Sequence, residues 1–354
     1  MTAMRFAFRV PAIGPAASVE RLLETAQEAE ALGFDAIVVT DHLHKSFEKH
    51  RSSPPASGWF RDPTNTELPV HFEAITTLGY LGGRTRRIRL ATGVMAMPLR
   101  DPVVLAKELA TLDTLSGGRM VLGVGVCNVT DKPEFEALGK PFLPYAERYA
   151  RMSESVAAMR TIWGNERATF EGESVRFRDL IVYPKPAGPI PVWIGCGSLS
   201  KGADHPAVRF TLDHAQGWLF PFLAAPDEVG DMIRDFRATA AAVGRDLTGF
   251  EYCIQRRIAI GETSTQAHEV VDWVAEEQAD MWKWAGYMHA QGTAAVANNL
   301  SNISIGTPDD MRALVERYAA AGATEMEIVP AFATYDQLLR QLRLFGREVL
   351  PAFA

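Results

Sequence analysis

Short apolar runs alternate with amphipathic helical stretches from one end of this chain to the other, and that alternation limits its fold more than any other feature. Arg5 to Val10 reads as a strand; Val19, Leu22, Leu23 and Ala26 then share one helical face, opened by Ser18 as N-cap and closed by Gly33. Further strands are expected at Ala36 to Thr40, Ile88 to Thr92, Met120 to Val126, Pro191 to Ile194, Ala215 to Leu219, Phe250 to Ile260 and Glu325 to Val329. Helices are expected near Glu73 to Leu81 and Val103 to Leu115, and Thr307-Pro308-Asp309-Asp310 announces another, with a cap, a proline at the first position and acids in the first turn. Such β-then-α units without consecutive hairpins predict a parallel sheet covered by helices. At 354 residues a closed (β/α)8 TIM barrel fits better than two open sheets. No Gly-x-Gly-x-x-Gly follows the first strand, which argues against a dinucleotide-binding sheet. No Pro- or Ser-rich linker divides the chain, so 1–354 is read as a single domain.

Three stretches interrupt the alternation, at about 43–70, 127–145 and 279–303. The first holds Pro54-Pro55, Trp59, Phe60 and Pro63, and the last holds Met281, Trp282, Trp284, Tyr287, Met288 and His289. Long aromatic-rich insertions are expected as walls or lids of a pocket for an apolar or amphipathic small molecule; helix packing or a dimer contact is the competing reading.

A net charge of −7 gives no basic footprint for nucleic acid. No uncharged apolar run approaches the roughly 20 residues that span a bilayer, and the arginine-interrupted start reads as a first strand and not a leader. Cys127, Cys196 and Cys253 are odd in number, far apart and form no Cys-x-x-Cys pair, which suggests neither disulfides nor a thiolate zinc site. A soluble, cytoplasmic protein is the expectation.

The apolar run Ala36 to Val39 delivers Asp41 and His42 at its carboxyl end, where α/β barrels place their chemistry, so these two are the first catalytic candidates. Histidine is suited to proton shuttling near neutral pH. His42-x-His44, with His205, Asp213 and His214 further on, also has the makings of a divalent metal site in a barrel hydrolase, although the pair follows the second strand instead of the first. Gly195-Cys196-Gly197-Ser198 follows a strand and precedes a helical segment, an arrangement that aims backbone N–H groups at a phosphate but is equally a plain turn.

From Thr92-Gly93-Val94 through Pro98, Arg100, Asp101-Pro102, Asp113, Gly117-Gly118-Arg119, Gly123 and Gly125, the chain closely resembles the luciferase-like monooxygenase superfamily, and within it the coenzyme F420-dependent oxidoreductases. The likeness continues at Phe135-Glu136-Ala137-Leu138-Gly139, Arg148, Phe170-Glu171-Gly172, Pro184-Lys185-Pro186, Trp193-Ile194-Gly195, Gly217-Trp218-Leu219 and Gly306-Thr307-Pro308, covering nearly the whole length. The resemblance implies a bacterial luciferase-like barrel that binds F420, or alternatively FMN, at its carboxyl end. F420 members move a hydride to or from an organic substrate; FMN members use oxygen and take reduced flavin from a separate reductase. It places His42 against substrate or ring, and Asp41 at the ring's polar edge or orienting the neighbouring loop. It puts Thr92, Gly93 and Val94 behind the ring, with Gly93-Val94 as a non-prolyl cis peptide. Cys127 and Asn128 would lie beside the ring, and Gly195, Cys196, Gly197 and Ser198 along the cofactor's ribityl or phosphate, with Cys196 standing where the family has glycine. Lys201, Arg256 and Arg257 are candidates for phosphate or for the acidic tail of F420. No metal, a homodimer, and possibly a flavin or F420 reductase as partner complete the expectation, with a non-catalytic flavin-binding relative as the remaining alternative.

Overall fold

The computed structural model describes residues 4–14, 16–43, 70–220, 225–277, 303–332 and 334–353. Among these residues twelve strands form, β1 (Arg5–Arg9), β2 (Ala36–Val39), β3 (Arg89–Thr92), β4 (Met95–Ala96), β5 (Met120–Gly125), β6 (Ala168–Glu171), β7 (Arg176–Leu180), β8 (Val192–Gly195), β9 (Gly217–Phe220), β10 (Glu251–Ile260), β11 (Ile303–Gly306) and β12 (Glu325–Pro330). Eight of them pair in parallel in the order β1-β2-β3-β5-β8-β9-β10-β12. β12 pairs back onto β1, with Arg5 opposite Glu325 and Phe8 opposite Ile328, and this closes the barrel. Each of the eight overlaps one of the eight strands expected from the sequence.

Alternation along the strands separates two cores. Ala7, Ala36, Val38, Ala91, Val121, Trp193, Leu219 and Cys253 pack together inside the barrel. Their neighbours Phe6, Phe8, Ile37, Val39, Leu90 and Leu122 belong to the larger layer shared with the helices. Those helices are α1 (Val19–Leu32), α2 (Ala74–Gly82), α3 (Pro102–Ser116), α4 (Lys132–Ala137), α5 (Tyr145–Gly164), α6 (Pro206–His214), α7 (Pro226–Ala242), α8 (Ser264–Glu277), α9 (Pro308–Ala320) and α10 (Tyr335–Glu348). Their ends follow local chemistry: Ser18 accepts a hydrogen bond from Arg21 N–H at 3.2 Å, and Gly33 ends α1 at φ 91°. Asp101 caps α3 by accepting from Val103 and Val104 N–H, ahead of Pro102. Among the described residues no helix is long and apolar enough to cross a membrane.

The structure departs from the expected alternation in three places. β6 and β7 form an antiparallel hairpin between α5 and β8; it is mostly exposed and charged, with Glu171 paired to Arg176 and Arg178, so it offers no apolar run to read. β4 and β11 extend the sheet beside β5 and β10. The stretch 127–145, expected to be irregular, contains a 3-10 turn at Val129–Asp131 and then α4. The insertions near 43–70 and 279–303, with His44 and the Trp/Met cluster, lie outside the described residues apart from their edges.

At the amino-terminal end of the barrel an ionic floor replaces apolar filling. Arg89 reaches Glu325 at 2.5 Å and Glu251 at 3.2 Å, Arg5 pairs with Glu251, and the Trp193 indole N–H donates to Glu251 at 2.6 Å. Glu325 is fully buried, and among the described residues its Oε1 has no hydrogen-bond partner. Burial pushes its carboxyl up to about 7 against the pull of Arg89 and Arg5. Between the ordinary value of 4.5 and about 7, the folded chain therefore holds a proton that the unfolded chain lacks. The unfolding free energy from urea denaturation is expected to fall as pH rises through that window, by about 3 kcal/mol in total, and Glu325→Gln is expected to flatten this part of the profile.

Candidate active site

The carboxyl end of β2 puts Asp41 and His42 side by side, and the two have opposite fates. The Asp41 side chain is 1% exposed. Its Oδ2 accepts from Ala96 N–H at 2.9 Å and from Arg100 Nε at 3.3 Å, and its Oδ1 takes Arg100 Nη2. Arg100 also reaches Glu73 at 3.0 Å, the residue that caps α2. Both oxygens being engaged, Asp41 holds the segment from Ala96 to Arg100 in place and presents no carboxylate to the mouth.

His42 is 28% exposed at its side chain, and its Nδ1 lies 2.7 Å from Oε1 of Glu134, on α4. The other oxygen of Glu134 accepts from Leu43 N–H at 2.8 Å. Glu134 is almost completely buried. Burial alone would raise its pKa, but the hydrogen bonds from His42 and Leu43 and the charge of the ring hold it below the usual carboxylate value. The His71 ring stands 5.9 Å from His42.

Next along the mouth, Gly93-Val94 is a cis peptide. The Val94 side chain lies on a bed of glycines: a Cβ on Gly195 would sit 2.7 Å from Val94 Cγ1, and one on Gly125 2.7 Å from Val94 Cγ2. A Cβ on Gly123 would be 2.0 Å from the Thr92 carbonyl, while the Thr92 hydroxyl donates to the Gly123 carbonyl at 2.8 Å. Gly93 is equally confined, since a Cβ there would meet Val38 at 2.4 Å. Below this ledge Arg9 Nε donates to Glu327 at 2.7 Å and Gln255 donates to the other oxygen of Glu327 at 2.8 Å, so polar pairs line the barrel under the mouth.

The remaining expected residues follow β5, end or follow β8, or lie within β10. Cys127 adopts φ 65° between two carbonyls, those of Val126 and Cys127, that both accept from Arg148 Nη1, while Arg148 Nε donates to Leu143. Burial and the nearby carboxylates push the Cys127 thiol far up, so it is neutral. Asn128 is exposed, and its N–H donates to Asp131 at 2.7 Å. Gly195 ends β8, the Cys196 carbonyl accepts from the Trp218 indole at 2.9 Å, and Ser198 accepts from Ser200 N–H at 3.1 Å. Burial pushes the Cys196 thiol up to about 12. The helix that was expected straight after this loop begins only at Pro206, because Ser198 turns the chain locally first. Arg256 donates to Ser304 at 2.8 Å. Burial and the charge of Arg9 lower Arg257 to about 10.

Among the described residues the set behind the metal reading does not assemble: His205 and the Asp213-His214 pair sit at opposite ends of α6, and His44 lies outside them. Ligand atoms of His42, Asp131 and Glu134 do come within 4.8 Å of one another. There, however, Nδ1 and Oε1 bond each other directly and Asp131 takes the Asn128 N–H. Sequence reasoning missed Glu134, Arg100 and Arg148 as site residues. Glu134 had one signal, the helix-opening order Asp131-Lys132-Pro133-Glu134, inside a stretch read as irregular.

The sequence profile described as luciferase-like monooxygenase matches residues 3–325. A protein named F420-dependent glucose-6-phosphate dehydrogenase from Nakamurella multipartita is 33% identical over 364 aligned residues, covering 98% of this chain and 96% of that one. A protein of the same name from Intrasporangium calvum is 34% identical over 177 residues, and there the match spans only about half of each, 50% of this chain and 48% of the relative. Among solved structures, an F420-dependent secondary alcohol dehydrogenase in complex with an F420-acetone adduct superposes with a TM-score of 0.75 at 18% identity, covering 99% of both chains. A long-chain alkane monooxygenase gives 0.75 at 15% identity, covering 99% of this chain and 91% of the other. These two likenesses establish the fold.

The glycine bed yields a sharp expectation. Gly195→Ala should cost about 1–3 kcal/mol through overpacking against Val94, and Val94→Ala should restore most of it in the double variant. Gly123→Ala, which meets backbone, should stay destabilised whatever residue stands at 94; chemical denaturation of the single and double variants checks both.

Proposed function

The chain belongs to the luciferase-like monooxygenase family, and on that footing we propose that it is an F420-dependent oxidoreductase that moves a hydride between the deazaflavin ring at the mouth of the barrel and a small organic substrate. The observation that carries the cofactor is the 33% identity, along 98% of the chain, to a relative named for F420. The residues present suit a flat tricyclic ring: glycines fix the height of the Val94 ledge, and an imidazole stands at the same rim. Thr92, Gly93 and Val94 would back the ring, Cys127 and Asn128 would flank it, and Gly195, Cys196, Gly197 and Ser198 would run along its side chain.

When bound, F420 supplies the two-electron hydride acceptor or donor. His42 handles the accompanying proton: with Nδ1 engaged by Glu134, the ring exchanges its proton at Nε2. Asp41 serves as a positioning residue through Ala96 and Arg100. A neutral thiol at Cys127 adds no competing nucleophile.

Calorimetric titration with oxidised and reduced F420 and FMN, side by side, tests the reading. Micromolar binding of F420 without FMN is expected. FMN binding alone would replace the proposal with a reduced-flavin monooxygenase served by a separate reductase, and binding of neither would remove the site. With a turned-over substrate in hand, His42→Ala should lower kcat by about 10²- to 10⁴-fold while F420 affinity stays within a few-fold; an unchanged rate would remove His42 from the chemistry.

A further inference from the structure

The His42–Glu134 contact joins residues 92 positions apart, and both oxygens of the carboxylate serve the same dipeptide, Oε1 the His42 ring and Oε2 the Leu43 N–H. An ionised carboxylate can only accept hydrogen bonds, so at 2.7 Å the partner nitrogen must carry the proton. Among the other described groups near the ring, Asp131 comes within 4.8 Å and takes the Asn128 N–H at 2.7 Å, Asp41 is taken by Arg100, the Cys127 thiol is neutral and the His71 ring stands 5.9 Å away.

We propose that Glu134 is the positioning residue for His42: it fixes the neutral ring with its proton on Nδ1, leaves Nε2 as the atom that accepts a proton, and stabilises the imidazolium that results. The proton lost by the substrate ends on Nε2, Nδ1 keeps its own, and Glu134 stays ionised throughout, so no proton passes to the carboxylate. The catalytic part rests on His42 as the acid–base group of the mouth; the tautomer and charge effects do not.

Imidazole ¹⁵N spectra of the full-length protein without cofactor, recorded for wild type, Glu134→Gln and Glu134→Ala, decide the matter. The wild-type ring is expected as the Nδ1–H tautomer. Glu134→Gln, which keeps an acceptor at the same place, should keep the tautomer. Glu134→Ala should lose the tautomer preference. A wild-type ring protonated on Nε2, or a preference unmoved in the alanine variant, would overturn the proposal; should the alanine variant not fold, the wild-type tautomer alone decides. The readout needs neither F420 nor a substrate, so failure of the cofactor titration and failure of this proposal are separate results.

Discussion

Closing eight parallel strands into a ring creates an interior that must be filled from top to bottom, and the rest of this molecule follows from how the chain fills it. The middle layer uses small apolar residues such as Ala7, Ala36, Ala91 and Val121 around Trp193. The lower layer uses arginines 5 and 89 against Glu251 and Glu325. The upper layer uses Arg9, Glu327 and Gln255 under the Val94 ledge. Charge can be buried at both ends because each acid meets a guanidinium, which satisfies several acceptors from one planar group. The ionic floor and the candidate site thus occupy opposite ends of the same strands. β12 shows this most plainly, since Glu325 belongs to the floor and Glu327, two residues on, supports the mouth.

The barrel was legible because its strands are buried on both faces and read as uninterrupted apolar runs, as Ala36 to Val39 does. Its helices were legible where caps and stop signals coincide, as at Ser18 with Gly33 and at Thr307 with Pro308. The β6–β7 hairpin was not legible: its exposed, charged strands owe their pairing to contact with each other and not to an apolar core. The bed of glycines under Val94 was visible as glycines but not as a bed. Its cause is a side chain from a different strand end, and a spacing of some 30 or 100 residues leaves no periodic trace.

The same distinction holds at the site. His42 and Asp41 could be named from the end of one strand, yet their surroundings diverge through partners brought from elsewhere in the chain, Arg100 for Asp41 and Glu134 for His42. Local sequence tells which side chains arrive at the mouth; which are free to act there is decided by long-range pairing. Asp41 shows the difference: it stands just past the end of a barrel strand, and its carboxylate is buried against the Arg100 guanidinium.

Arg148 has a consequence of another kind. Its guanidinium grips carbonyls at 126 and 127 on one side and at 143 on the other, so the two ends of the excursion carrying Glu134 are pinned by a single side chain at the start of α5. A loop whose ends are already fixed has most of its closure entropy settled in advance. The segment between those carbonyls, with Glu134 in it, thereby has its two ends joined at one anchor beside the barrel.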